Sequence, residues 1–178
     1  MEHLISKEYK KQITEYHNKN KWGGAVRGRE DIIYKYMQLS KSKTLLDYGS
    51  GCGDLQRALK WEHGDELPFS IHEYEPGKEG LDKDPPVCDV SVCIDVMEHI
   101  EPDKVDNVIK HIYDRTRNFT VQNIDLKASS GAFPNFTNLH LTIRKSPWWL
   151  EKLGKYWDFV DVSANRGKLS FVGIKKEQ

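Results

Sequence analysis

The sequence predicts an α/β fold: a doubly wound, mostly parallel sheet that ends in a C-terminal antiparallel hairpin. Three observations carry this expectation. The run Thr44-Leu45-Leu46-Asp47-Tyr48 leads into Gly49-Ser50-Gly51-Cys52-Gly53 and a helix-compatible segment, the pattern of a buried strand turning tightly into a helix. Beyond it, apolar strand-like runs alternate with segments of helical period as far as Ile124, which implies parallel strands covered on both faces. Finally, Phe159–Ala164 and Leu169–Lys175 read as two strands joined by Asn165-Arg166-Gly167-Lys168, a hairpin connection.

The elements follow in order. Ile5, Tyr9, Ile13 and Tyr16 fall on one face of a first helix. Asn18 to Gly28, with Trp22-Gly23-Gly24, breaks that pattern, and a second helix runs from Arg29 to about Leu39 with Ile32, Ile33, Tyr36 and Met37 inward. Leu55 to Trp61 makes a short helix after the glycine turn. Phe69 to Glu75 alternates as a strand and stops at Pro76-Gly77; Val87 to Val96 is a buried, β-branched strand ending at Asp95. Glu101-Pro102-Asp103 opens a helix carrying Val105, Val108, Ile109 and Ile112, and Phe119 to Ile124 is the next strand. A loop from about Asp125 to Asn138 precedes a helix starting at Ser146-Pro147. Between Glu75 and Val87 there is hardly room for a crossover helix and a further strand, so a reduced third-strand region is expected.

Length and charge narrow the function classes. At 178 residues the chain suits one domain: residues 1–178, with 1–43 as an N-terminal helical cap or lid and 44–178 as the sheet core. Lys+Arg and Asp+Glu balance at 27 each, so no global field draws the chain to nucleic acid or an anionic membrane. No apolar run approaches the roughly 20 residues of a membrane span. Three cysteines without a CxxC pair make neither a disulfide framework nor a zinc site. A cytoplasmic protein is expected.

The chemistry concentrates at strand ends. In a doubly wound sheet, ligands bind at the carboxyl ends of the strands, where Asp47, Glu75 and Asp95 sit. Glu75 stands about two dozen residues beyond the glycine turn, near the distance at which a carboxylate grips both ribose hydroxyls; Glu73 is its rival on the same strand. Asp54 follows Gly53, so the pattern is G-x-G-x-G rather than a dinucleotide fingerprint, and no Gly-Lys-Ser/Thr follows for a phosphate loop. Asp47 suits an ammonium or sulfonium. A phosphate-free, positively charged, nucleoside-bearing ligand describes S-adenosylmethionine (SAM). Asp95, Asn123 and Asp125 offer hard oxygen ligands at adjacent strand ends, but their spacing is unspecific and no metal is expected.

These residues carry a resemblance. Leu46-Asp47-Tyr48-Gly49-Ser50-Gly51-Cys52-Gly53 resembles motif I of class I, Rossmann-like SAM-dependent methyltransferases. Tyr74-Glu75-Pro76 is similar to that family's acid at the end of strand two. Cys88 to Ile100, ending Asp95-Val96-Met97-Glu98-His99-Ile100, resembles its strand-four stretch. The likeness covers roughly Leu45 to Ile124. Asn138-Leu139-His140-Leu141 and Trp148-Trp149 are also similar to small members often encoded by phages. The resemblance implies that Asp47, Tyr48, Gly49, Gly51 and Gly53 pass under the methionine and ribose, that Glu75 takes the ribose, and that Asp95 lies by the methionyl group. Asp82 and Asp84 stand nearest the family's adenine-contacting acid.

Methyl transfer needs alignment of acceptor, methyl and sulfur, and a base only where the acceptor must lose a proton. His99 and His140 are the candidate bases, with a packing or capping role the alternative for each. Trp22 could close over the cofactor or pack between helices, and Asp95 could instead cap the following helix. The expected function is methyl transfer to a small-molecule acceptor. The alternatives are a nucleic-acid methyltransferase, for which Lys41, Lys43, Arg144, Lys145, Arg166 and Lys168 would have to cluster, and a non-catalytic SAM-binding module.

Overall fold

Segments buried almost continuously at the centre and exposed at the last edge assemble one six-stranded sheet in this computed structural model, which describes residues 4–19, 28–135 and 137–177. Trp22 and Gly23-Gly24 lie outside the described residues. The strands are β1 (Thr44–Tyr48), β2 (Ser70–Tyr74), β3 (Cys88–Ile94), β4 (Thr116–Asp125), β5 (Trp157–Asn165) and β6 (Lys168–Lys175), in the order β2-β1-β3-β4-β6-β5. The first four are mutually parallel, whereas β6 lies antiparallel to β4 and carries β5 at the edge. Residues 75–87 form no helix or strand. The sheet therefore ends at β2, as the short segment before Val87 leads one to expect.

The described residues form five α-helices: α1 (Lys7–Lys19), α2 (Glu30–Leu39), α3 (Asp54–His63), α4 (Val105–Asp114) and α5 (Ser146–Leu153). Successive residues of β1 face opposite ways, as the pleat requires. Leu46 and Tyr48 join the core formed with α4 and α5, where Val105, Val108, Ile109, Ile112, Trp149 and Leu153 are buried. Leu45 joins the opposite core with Ile33 and Met37 of α2 and Leu55 and Leu59 of α3. Pro147 occupies the first turn of α5, where its missing N–H has no helical partner to lose.

Two boundaries shift for identifiable reasons. Asp54 begins α3 directly after the positive-φ Gly53, and the helix continues to His63 before Gly64 stops it. Strand β4 starts at Thr116 rather than near Phe119, because the Thr116 hydroxyl joins the end of α4 to the sheet. It donates to the Ile112 carbonyl at 2.7 Å and lies 2.8 Å from Ser91 Oγ.

Helix α1 belongs to neither sheet face. Ser6 begins it, accepting the Tyr9 N–H at 3.0 Å, the usual N-cap bond. Tyr9 and Ile13 on its apolar face, with Ile5 just before it, pack on Phe133 and Leu139 of the loop after β4, forming a third core over the carboxyl ends of the strands. The Ser6 N–H donates to Glu101 Oε2 at 2.8 Å, fastening the start of α1 to the segment before α4.

Burying a leucine contributes about 1.5–3 kcal/mol, and deleting it leaves a cavity as well. Leu46 is fully buried whereas Trp61 is 87% exposed. Leu46→Ala is therefore expected to lower the urea-unfolding free energy by about 2–5 kcal/mol, and Trp61→Ala to change it by less than about 0.5 kcal/mol.

Candidate active site

The cleft lies at the carboxyl ends of β1, β2 and β3, roofed by α1. It has a volume of about 190 Å³, and its walls include Asp47, the turn Gly49-Ser50-Gly51, Glu75, Asp95 and His99, with Ile5, Tyr9 and Ile13 above. Asp47, Tyr48, Gly49, Gly51, Glu75, Asp95 and His99, all singled out in the sequence, are thus brought to one space. Gly53 and His140 are not in its wall.

The glycine turn depends on its glycines. Gly49, Gly51 and Gly53 all have positive φ, at 81°, 52° and 75°. A Cβ on Gly49 would stand 2.5 Å from Val96 Cγ2, and one on Gly53 would stand 2.6 Å from Glu73 Oε1. The turn is hung from the end of β2: the N–H groups of Gly49 and Ser50 donate to the Tyr74 carbonyl at 2.8 and 3.1 Å. The Gly51 N–H donates to Glu75 Oε2 at 3.1 Å.

Glu75 is buried, and its second oxygen accepts the Gly77 N–H at 3.0 Å and lies 3.5 Å from His17 Nε2 of α1. Burial alone would raise its pKa. The hydrogen bonds from His17 and from the Gly77 and Gly51 amides outweigh burial and hold the carboxyl below its usual value. Asp47 has the opposite environment. Burial first, then the charges of Glu73 and Glu75, push it up to about 7. Glu73 stands beneath the turn, beside Gly53, rather than in the cleft wall.

Tyr48 turns its ring into the core. Its hydroxyl bonds His111 Nδ1 at 2.8 Å, and His111 Nε2 lies 2.9 Å from Asp84, which also pairs with Arg115. Asp82 pairs with Lys10 of α1 at 2.9 Å. Asp82 and Asp84 are therefore engaged with cations or histidine, outside the cleft wall. Asp95 has φ 51° and caps no helix; its carboxylate accepts from Asn123 Nδ2 and, at 2.8 Å, from Lys168 Nζ. Lys168 also lies 3.8 Å from Asp125. An ammonium already stands among Asp95, Asn123 and Asp125, where the sequence offered hard oxygen ligands.

His99 and His140 meet. Their ring centroids are 4.7 Å apart at 86°. His99 follows β3 in the single 3-10 turn Met97–His99, while His140 is placed by Asn138, whose Oδ1 accepts the His140 N–H at 2.9 Å and whose Nδ2 donates to the Ser129 carbonyl at 2.8 Å. Burial lowers the His99 pKa to about 4, so the ring is neutral. Glu98, which sequence reasoning passed over, is fully buried, and burial with the neighbouring Asp95 charge pushes it up to about 8. Its only signal in the sequence was an acid between two residues already singled out, Asp95 and His99.

No model of a known protein family matches the chain, and no curated protein matches it. Solved structures do. The chain is similar to Burkholderia thailandensis 1,6-didemethyltoxoflavin-N1-methyltransferase, solved with S-adenosylhomocysteine (SAH). That likeness has 16% identity and a TM-score of 0.64 over 96% of this chain and 88% of that one. It is also similar to Synechocystis magnesium protoporphyrin IX methyltransferase with bound SAH, at 11% identity and TM-score 0.60 over 85% and 84% of the two chains. Human N-acetylserotonin methyltransferase in complex with SAM matches at 11% identity and TM-score 0.60 over 94% of this chain, which spans 57% of that enzyme's length. An O-methyltransferase family protein of Burkholderia thailandensis is likewise spanned over 56% of its length. The likeness to phage-encoded members finds no support in these comparisons.

Gly49→Ala places a methyl group against Val96 at a backbone angle that L-residues adopt only at a cost of about 1–3 kcal/mol. The variant is expected to unfold at a lower urea concentration. Adding Val96→Ala is expected to recover the part due to the clash and leave the part due to φ. The chain has the Rossmann-like fold of SAM-dependent methyltransferases.

Proposed function

We propose that the chain is a SAM-dependent methyltransferase acting on a small-molecule acceptor. The observation that carries this reading is the pair of buried acids on either side of the glycine turn, Glu75 held ionised and Asp47 held near neutrality with acids as its neighbours. A buried carboxylate of that second kind gains from a cationic ligand. The donor chemistry fits SAM: Glu75 would take the ribose hydroxyls, Asp47 the positive charge, and the amides of the turn the close backbone approach that only glycine permits. SAM, when bound, supplies a methyl group already activated by its sulfonium.

The protein's part is then to bind, orient and exclude water. Helix α1 roofs the cleft with Ile5, Tyr9 and Ile13, and Ile100 and Val108 line it further in. The three methyltransferases described above carry names of small-molecule acceptors, which supports the same substrate class. Among the described residues no helix is long and apolar enough to cross a membrane.

The basic residues give a nucleic-acid acceptor little support. Lys43 precedes the amino end of β1, whereas Lys168 pairs in register with Asp125 at the carboxyl end of β4. In a parallel sheet those are opposite ends. Lys41 and Lys43 therefore do not join Arg166 and Lys168 in one patch.

Calorimetry with SAM and SAH tests the cofactor assignment: saturable binding of one equivalent is expected, and no heat together with no thermal shift would overturn it. The pH dependence tests Asp47. Below about 7 its carboxyl is protonated in the free protein and above about 7 it is ionised, and a cation binds the ionised form. SAM affinity is therefore expected to rise between pH 5.5 and 7, by at most about tenfold per unit. Asp47→Asn is expected to weaken binding and flatten that dependence.

A further inference from the structure

We propose that Glu98, His99 and His140 form a binding site for one divalent transition-metal ion, built of two imidazoles and one carboxylate and opening beside the cleft. Each residue offers one ligand atom, and these atoms all lie within 4.8 Å of one another. A single ion about 2.0–2.2 Å from each imidazole nitrogen and carboxylate oxygen would draw such atoms to within about 3–4 Å of one another.

The partners of each residue argue for ligation. His99 Nδ1 lies 2.8 Å from the Leu139 carbonyl, and His140 Nδ1 lies 2.5 Å from the Lys127 carbonyl. A carbonyl oxygen only accepts, so in both rings Nδ1 carries a proton, which leaves Nε2 as the atom that each ring, when neutral, can turn to a metal. This is the arrangement by which a backbone carbonyl orients a metal-binding imidazole and raises its basicity. Two adjacent histidines with the same tautomer, both set by main-chain oxygens, present two donors of the same kind.

Glu98 supplies the independent observation. It is fully buried, and its Oε1 accepts the Asp125 N–H at 2.9 Å while Oε2 has no hydrogen-bond partner among the described residues. An oxygen left in that condition costs about 1–3 kcal/mol or more, and a cation would offset it. Asp95 and Asp125 share the ammonium of Lys168, whereas among the described residues no cation pairs with Glu98.

The scaffold holds the three together. The Glu98 carbonyl accepts the Thr142 N–H at 2.9 Å, and the Thr142 hydroxyl donates to the Ile100 carbonyl at 2.7 Å. These bonds fasten the strand-end turn carrying Glu98 and His99 to the loop carrying His140. Two imidazoles with one carboxylate favour Zn²⁺, Fe²⁺, Co²⁺ or Ni²⁺ over Mg²⁺ or Ca²⁺, which prefer all-oxygen sets. Three protein ligands leave coordination positions open. Because His99 lines the cleft, an ion here could polarise an oxygen or nitrogen of a molecule entering it. The metal site stands whether or not the cleft transfers methyl groups.

The test uses the full chain, stripped with a chelator and then titrated with Zn²⁺ by calorimetry and with Co²⁺ by visible absorption. One equivalent per chain is expected, with a Co²⁺ band characteristic of nitrogen and oxygen ligation. Glu98→Gln and His140→Ala are each expected to weaken Zn²⁺ binding at least about tenfold and to abolish the Co²⁺ band. His72→Ala, on β2 and away from the cleft wall, is expected to leave both unchanged. Circular dichroism reports whether each variant is folded, and His140→Ala removes a side chain outside the main cores. Absence of binding in the folded chain, or binding that Glu98→Gln and His140→Ala leave intact, would overturn the proposal.

Discussion

The structure depends on how the glycine turn is hung from the end of β2. Three backbone amides of the turn are claimed by two consecutive residues of the neighbouring strand end: Gly49 and Ser50 by the Tyr74 carbonyl, Gly51 by the Glu75 carboxylate. Those bonds require the positive φ that Gly49 and Gly51 supply. They also require strands one and two to be neighbours in register, which the pairing of Tyr48 with Tyr74 provides. Asp47, Glu75 and the first turn of α3 are consequently placed around one space. A different loop between β1 and α3 would lose the carboxylate anchor and the cleft together.

Closing that space falls to elements outside the sheet. Helix α1 and the loop after β4 share a small core of Ile5, Tyr9, Ile13, Phe133 and Leu139, and that core lies over the strand ends. His17 reaches from α1 to Glu75, and Lys10 reaches from the same helix to Asp82. The roof is thus tied to the segment after β2 at two points, by a histidine–carboxylate contact and by an ion pair. Packing, hydrogen bonding and charge act here on one helix, which makes α1 the element whose position decides access to the cleft.

Much of this was legible in the sequence, for a physical reason. Patterns confined to one strand or one turn, such as Thr44 to Gly53 and the acids Asp47 and Glu75, encode their own geometry, and the mostly parallel sheet with its terminal hairpin followed from strand and helix periods, whereas the strand order did not. The shortened edge was also legible, because residues 75–87 are too few for a helix and a strand. What sequence could not reveal depends on contacts between distant segments. Tyr48 reads as part of a ligand-binding motif, yet its ring is drawn into the core by His111, 63 residues away. Asp82 and Asp84 are held by Lys10, His111 and Arg115, which lie far from them in sequence. His99 and His140 stand on separate segments. Their meeting beside the buried Glu98 rests on hydrogen bonds from a loop whose path no periodicity announces. Trp22 lies outside the described residues.

The central claim is that the cleft moves a methyl group from SAM to a small molecule. The most direct measurement is incubation of the purified chain with methyl-labelled SAM and a cell extract, followed by separation of metabolites, protein and nucleic acid. The account predicts enzyme-dependent label in the metabolite fraction, lost when Asp47 and Glu75 are replaced by their amides. Label confined to nucleic acid or protein, or no transfer by a chain that binds SAM, would contradict it.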